Sequence, residues 1–374
     1  MRILVTGHLG YIGCVLTRML LDRDHEVVGL DTDLYRRCTY GAADGVPRVP
    51  TIARDVRDVE PGDVRGADAV LHLAGLSNDP LGDLDADLTM DVNHRASVRL
   101  AEIARDAGVP RFVFSSSCSN YGAGADALLD EDAPFNPVTP YGRSKVAVER
   151  DVAPMASDRF SPVFLRSATA YGLSPRIRFD LVVNNLAAWA FTTGDVLLKS
   201  DGTPWRPVVH VQDIARAFVA AVEAPREAVH GRAFNVADTR ENYRVAELAR
   251  IVGEEVPGSR VRLGDDASPD VRTYRVRGDR LAATLPAATP RWTARQGVRE
   301  LLDAYRTHGL ELEDFEGPRF RRVDHVRMLV ERGLLDATLR PTAATHAAGP
   351  PAAPPGPGPG PAAPAAPAGK AVSS

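Results

Sequence analysis

An alternation running through the first 120 residues constrains this chain most. "RILVT" (Arg2 to Thr6) is a short apolar, β-branched run, Tyr11 to Leu21 has helical spacing, and "EVVGL" is a second strand pattern. "ADAVLHLA" and "RFVFS" supply two more, with a helical stretch from Leu84 to Ala107 between them. Strands separated by helices pair in parallel, because each crossover needs about a helix's length of chain, and the helices then cover both faces of the sheet. The expected fold class is α/β, a doubly wound parallel sheet. Sheets of this kind take their ligands beyond the carboxyl ends of the strands.

The first strand end carries "TGHLGYIG", with Gly7, Gly10 and Gly13 spaced GxxGxxG. Glycines there permit a tight turn and let backbone N–H groups, including those of Tyr11 and Ile12, approach a pyrophosphate at the start of the following helix, where the helix dipole favours negative charge. The spacing departs from GxGxxG, but a strand precedes it and a helix comes after. The second strand ends in Asp31, 18 residues beyond Gly13, near where a carboxylate meets the adenosine ribose hydroxyls. Its charge would repel a 2′-phosphate, so NAD is expected rather than NADP, although Arg36 and Arg37 stand close by.

Further along, "TPYGRSKVAVER" places Tyr141 and Lys145 four residues apart at the start of a helical pattern, hence on one face. A free tyrosine has a pKa of about 10. Making it a base near neutral pH takes roughly 4 kcal/mol of preferential phenolate stabilisation, which a lysine ammonium and a cationic nicotinamide ring could supply together.

With these motifs in order ("TGHLGYIG", "DVRD", "HLAG", "SSSCSNYG", "YGRSK" and "WRPVVHVQDIARA") the chain resembles, over about residues 1 to 310, the extended short-chain dehydrogenase/reductase family and within it the nucleotide-sugar epimerases and dehydratases. The resemblance implies a Rossmann domain with a smaller α/β substrate domain, tightly bound NAD, and a sugar carried on a nucleoside diphosphate. It puts Asp55 and Val56 by the adenine, and Leu73, Ala74 and Gly75 along the nicotinamide side. Asn93 would hold the helix that carries Lys145, with a purely structural amide as the alternative, and Ser77 would face the substrate.

The same register implies that Ser117, at the end of the "RFVFSSS" strand, bridges the sugar oxygen and Tyr141, which makes Ser117, Tyr141 and Lys145 the candidate catalytic set. Dehydratases of the family carry Asp and Glu at the next two positions, an acid and a base for removing water. Here they are Cys118 and Ser119, expected to touch substrate without serving elimination: an unassisted serine is a poor proton acceptor, and a thiol of pKa about 8.5 is an uncertain one. The alternatives for Cys118 are a small buried filler or the acid or base of an unusual lyase.

In the substrate half the resemblance offers Thr169 to the diphosphate, Asn184 or Asn185 on the helix facing it, Arg206 as a forked diphosphate ligand, and Asp270 with Arg272 as a late clamp on ribose and phosphate. His210 and Asp213 read as structural, Asp213 as a helix N-cap. Arg176 and Arg178 are left open between a substrate carboxylate, a diphosphate and a solvated face. Residues 1–172 with 206–240 form the expected cofactor domain, and 173–205 with 241–340 the substrate domain. The helical segment from about 310 to 340 is an added packing or oligomer element. Residues 341–374, almost entirely Ala, Pro and Gly, lack side chains to bury and are expected to form a disordered tail.

A net charge of −4 with acids and bases mixed throughout gives no reason to expect nucleic acid as a partner. Cys14, Cys38 and Cys118 are widely separated and form no CxxC pair, so neither a disulfide framework nor a metal site is expected, and a reducing cytoplasm fits. The N-terminus moves straight into a strand pattern, and no segment is apolar enough to span a membrane. The expected activity is NAD-dependent 4-epimerisation of a nucleotide-diphosphate sugar by a soluble homodimer. The alternatives are a 4-ketoreductase or dehydrogenase, a lyase using Cys118, and a Rossmann protein that senses redox state or serves structurally.

Overall fold

The computed structural model describes residues 1–42, 45–77, 85–264 and 272–342. Seven strands form one parallel sheet: β1 (Arg2–Thr6), β2 (Glu26–Asp31), β3 (Thr51–Ala53), β4 (Ala69–His72), β5 (Arg111–Ser117), β6 (Ser161–Ser167) and β7 (Ala233–Val236). Their spatial order is 7-6-5-4-1-2-3, and every adjacent pair is parallel. All four residues of β4 and all seven of β6 are buried, as a sheet covered on both faces requires. The covering helices include α1 (Tyr11–Leu21) and α2 (Ala96–Asp106). The expected doubly wound sheet is present. The order reverses between β1 and β4, and that switch point opens a crevice at the strands' carboxyl ends.

Two expectations about elements need adjustment, and one strand is not foreseen by the sequence. The helical pattern ending at Ala107 is a short helix (Ala86–Met90), a π-helical turn (Asp91–Arg95) and α2; its first residue, Leu84, lies outside the described residues. β3, only three residues long and partly exposed, carries too little apolar periodicity to be read from sequence. Ordered contacts run past residue 340: Pro341 bridges to Leu335, and the Thr342 hydroxyl donates to the Gly333 carbonyl. The rest of the proposed tail, 343–374, lies outside the described residues.

Four further helices frame the carboxyl edge of the sheet and the second half of the chain: α3 (Pro140–Val152), α4 (Val182–Thr193), α5 (Val211–Glu223) and α6 (Ala294–His308). A second apolar cluster, apart from those on the two faces of the sheet, joins α4 and α6 through Ala187, Leu301 and Tyr305 and includes Phe315 and Phe320. His210 caps α5 by accepting from the Gln212 amide, and its ring stacks on Trp292 at 4.0 Å. The N-cap expected of Asp213 therefore falls to His210. Asp213, inside the first turn, accepts instead from the amides of Arg291 and Trp292, where its carboxylate can serve the segment leading into α6.

Candidate active site

One cavity of about 1130 Å³ runs along the sheet's carboxyl edge. It begins at the glycine turn. Gly7 adopts φ +74°, and a Cβ there would sit 2.7 Å from the Ala74 amide nitrogen, so the loops after β1 and β4 meet only because Gly7 has no side chain. A Cβ on Gly13 would sit 2.1 Å from the Gly7 carbonyl oxygen. Gly10 begins α1 without a side-chain cap, and no acidic residue occupies the first turn, so the helix's leading amides are left to a ligand. Asp31 accepts from the Leu9 amide at 3.0 Å and from the Asp33 amide at 2.8 Å while facing the cavity. Burial pushes its pKa up.

Gly7, Gly10, Tyr11, Ile12, Gly13, Asp31, Asp55, Val56, Leu73, Ala74 and Gly75 all lie on the cavity wall. This lining, a tight glycine turn under an uncapped helix N-terminus with a carboxylate at the end of β2, fits a dinucleotide. Asp55 also caps the turn Val56–Asp58 through the Arg57 amide and pairs with the Arg57 guanidinium at 2.7 Å, which holds its carboxyl below the usual carboxylate range despite burial. Asn93 does not line the cavity. Its Oδ1 accepts from the Leu76 amide at 2.7 Å, and its Nδ2 donates to the Leu76 carbonyl at 2.9 Å and to the Ser144 hydroxyl at 3.3 Å. It ties the loop after β4 to α3, the helix that carries Lys145, and so acts through these hydrogen bonds and not from the cavity wall.

Thr139 starts α3 by accepting from the Gly142 amide at 3.1 Å, and Pro140 stands where a missing N–H costs nothing. This start sets Tyr141 half-buried at the cavity and Lys145 one turn further in. The Lys145 ammonium donates to the Ser115 carbonyl at 2.8 Å and lies 5.5 Å from the centroid of the Tyr141 ring. Burial pushes its pKa down to about 7, opposed in part by Glu149. Ser117 ends β5 and accepts from the Ser119 amide at 3.1 Å. Ser117, Ser119, Tyr141 and Lys145 share the cavity wall.

Cys118 is not on that wall. It is fully buried, its thiol reaches the Arg166 carbonyl at 3.1 Å, and burial drives its pKa far up. The expected substrate contact is corrected: the turn Cys118–Tyr121 rotates this side chain into the core under β6. Glu149 lies there as well, paired in bidentate fashion with Arg166 and accepting from Ser116 at 2.5 Å.

Of the substrate-side expectations, Ser77, Thr169, Asn185, Arg206 and Arg272 line the cavity. Asn184 does not: it is fully buried, accepting from the Gly172 amide and donating to the Arg178 carbonyl, so it shapes the loop before α4. Asp270 lies outside the described residues. Arg206 donates to the carbonyls of Trp205 and Arg272, which brings the two arginines' segments together.

A solvated face is excluded for Arg176 and Arg178, both buried. Arg176 pairs with Asp33 away from the cavity. Arg178, on the cavity wall, grips Asp180 and donates to the Ser77 hydroxyl and carbonyl, each at 3.0 Å. Sequence reading missed Tyr274, whose pKa burial raises to about 12, and the cavity-facing residues between Phe315 and Leu339. Tyr274 stands two residues beyond Arg272 on an extended run, a spacing that puts both on one face.

The fold and the cavity define an NAD-dependent enzyme of the extended short-chain dehydrogenase/reductase type. The chain belongs to the NAD dependent epimerase/dehydratase family, whose model matches residues 3–237, and NAD is its cofactor. A UDP-glucose 4-epimerase of Bacillus subtilis (strain 168) is 28% identical, over 80% of this chain and 94% of the relative. Another from Mycolicibacterium smegmatis is 32% identical over 71% and 88%. Among solved structures, the Thermus thermophilus UDP-glucose 4-epimerase complex with NAD superposes with a TM-score of 0.67 at 26% identity, covering 82% of this chain and 99% of that one. MoeE5 in complex with UDP-glucuronic acid and NAD gives 0.71 at 28%, with the same coverage. The NAD dependent NDP-hexosamine 5,6-dehydratase TunA gives 0.71 at 25%, covering 82% and 98%. Among the described residues no helix is long and apolar enough to cross a membrane.

Proposed function

We propose that the protein is a 4-epimerase of a nucleoside-diphosphate sugar. The observation that carries this reading is what stands around Ser117. Tyr141 and Lys145 are together on the wall, while the two positions after Ser117 hold a buried thiol and a serine where an elimination needs an acid and a base. In this reading the bound NAD supplies a reversible hydride acceptor. Tyr141 takes the proton of the C4 hydroxyl, assisted by the Ser117 hydroxyl, and Lys145 lowers the cost of the phenolate. The transient 4-keto sugar turns in the cavity, the hydride would return to the opposite face of C4, and Tyr141 gives the proton back to the O4 oxygen. Arg206 and Arg272 hold the diphosphate, with Thr169 and Asn185 beside it. The epimerase relatives support the substrate class; residues 173–205 with 241–340 supply the rest of its binding half, beside Thr169 and Arg206 from the cofactor domain.

The test is incubation with nucleotide sugars deuterated at C4, without added cofactor, and then NMR of the products. An epimerase returns label to C4 of the inverted sugar with no net NADH. Label appearing in released NADH makes it a dehydrogenase. Solvent deuterium entering C5 or C6 with loss of a hydroxyl makes it a dehydratase and ends the epimerase reading.

A further inference from the structure

Past α6 the chain does not leave the cleft. It passes through Phe315 and Phe320 into a helix, α7 (Arg322–Glu331), and then returns across the cofactor half: His325 hydrogen-bonds the Leu34 carbonyl at 3.2 Å, and Arg340 pairs with Asp58. Leu339 packs against the cluster that contains Val56 and reaches the cavity. Residues 312–342 thus lie as a strap over the loops that extend from β2 and β3, the loops beside Asp31 and Asp55.

Most of the strap's arginines are neutralised in place. Arg319 pairs with Asp314, Arg321 with Glu316 and Asp324, and Arg327 with Asp324. Arg322 differs: it is only 4% exposed, yet among the described residues no carboxylate stands within ion-pairing distance of it. It lies 4.1 Å over the Tyr35 ring and donates to the Arg176 carbonyl at 3.2 Å, while among the described residues its Nε has no hydrogen-bond partner. It lines the cavity together with Arg178 and Asp180; the neighbouring Arg321 and Arg327 are paired with Glu316 and Asp324, which leaves Arg322 as the added positive charge beside the Arg178–Asp180 pair. Asp180, already gripped by Arg178, is the carboxylate whose charge reaches Arg322, and a buried guanidinium with no ion-pair partner of its own is costly unless an anion completes it.

We propose that Arg322 is a second anchor for the diphosphate of bound NAD, carried on a strap that keeps the cofactor resident. The cofactor, not the substrate, is the occupant because of what holds Arg322. Tyr35 lies four residues past the end of β2, Arg176 is tied to Asp33 and to the Tyr35 carbonyl, and Ser174 donates to the Tyr11 carbonyl at 2.7 Å. These contacts fix Arg322 on the side of the cavity that holds the open N-terminus of α1, with Arg206 and Arg272 on the substrate's side. The excess positive charge complements a diphosphate already met by helix amides on its other side. The assignment rests on NAD as cofactor and holds whichever reaction the site runs.

The test uses the full-length holoenzyme, with bound NAD exchanged for etheno-NAD and its release read by fluorescence. R322Q is expected to speed release by about 10- to 100-fold, the worth of a lost charge-assisted contact. Competition by ADP-ribose should weaken by a similar factor, and competition by adenosine should stay within about twofold. Equal loss for both ligands, or loss for neither, overturns the proposal. So does weakened binding of UDP or dTDP with ADP-ribose unchanged, which would assign Arg322 to the substrate. If R322Q does not fold, R322K carries the same comparison: an ammonium cannot reproduce the fork, so selective loss of ADP-ribose is expected, and parity with the wild type on both ligands overturns the proposal.

Discussion

The Lys145 ammonium donates to the Ser115 carbonyl at 2.8 Å and so binds the first turns of α3 to the end of β5, the strand that delivers Ser117. Burial lowers the pKa of Lys145 from 10.5 to about 7. Below pH 7 the folded and unfolded chains both carry this proton, and its burial penalty is constant and largest. Between 7 and 10.5 the unfolded chain holds a proton that the folded one lacks, so stability rises with pH, by at most about 1.4 kcal/mol per unit from this group. Urea unfolding of cofactor-free protein at pH 7, 8 and 9 should show this rise, and Lys145→Met should flatten it. An equal slope in the variant would assign the rise to other groups.

Tyr141→Phe keeps the ring and removes the proposed proton acceptor. Turnover should fall by a factor on the order of 100 to 10,000, the usual worth of a positioned general base, with bound NAD retained. Ser117→Ala should cost less, because in the proposed mechanism Tyr141 remains to accept the proton. Steady-state rates and the NAD content of the purified variants check both. A Ser117→Ala loss larger than that of Tyr141→Phe would reverse the two roles.

Glu149 and Arg166 form the buried pair beneath the candidate catalytic turn, joined by Ser116 and by Asn120 at 3.0 Å. Arg166→Leu strands a carboxylate in the core and should cost about 3–5 kcal/mol, measurable by denaturant titration. Replacing both residues with leucine should recover much of that loss. If the double variant is no more stable than Arg166→Leu, the network's remaining polar groups, not the orphaned charge, dominate the cost.

Much of this was legible because the decisive residues signal locally. The apolar runs of β1, β4 and β5 and the glycine turn read directly as strand, turn and helix, and Tyr141 and Lys145 declare themselves by helical spacing. What the sequence hides depends on long-range packing. Cys118 and Ser119 are neighbours in the chain, yet the turn after β5 sends one into the core and leaves the other at the cavity. Asn184 and Asn185 divide in the same way across the start of α4. His210 is an uncommon cap, so Asp213 was the natural choice for that place. The strap's part in the cavity wall has no local signature, because Arg322 reaches Tyr35 across nearly the whole length of the chain.

Cys118 is the residue on which the proposed epimerase reading, as against elimination, turns. A thiol can serve as acid or base only if it meets the substrate and its pKa lies near the working pH. This one is fully buried, faces the Arg166 carbonyl, and has its pKa driven up by burial. Cys14 and Cys38 are buried too, with their pKa values raised to about 12 and about 11. Native protein should therefore react slowly with a thiol reagent, and all three thiols should appear together on unfolding. Cys118→Ala removes a small packed atom and should cost on the order of 1 kcal/mol in stability while leaving turnover within about twofold. Rapid labelling of a single thiol in the native protein, blocked by nucleotide sugar and accompanied by a large loss of turnover in Cys118→Ala, would place the sulfur in the reaction and reopen the lyase alternative.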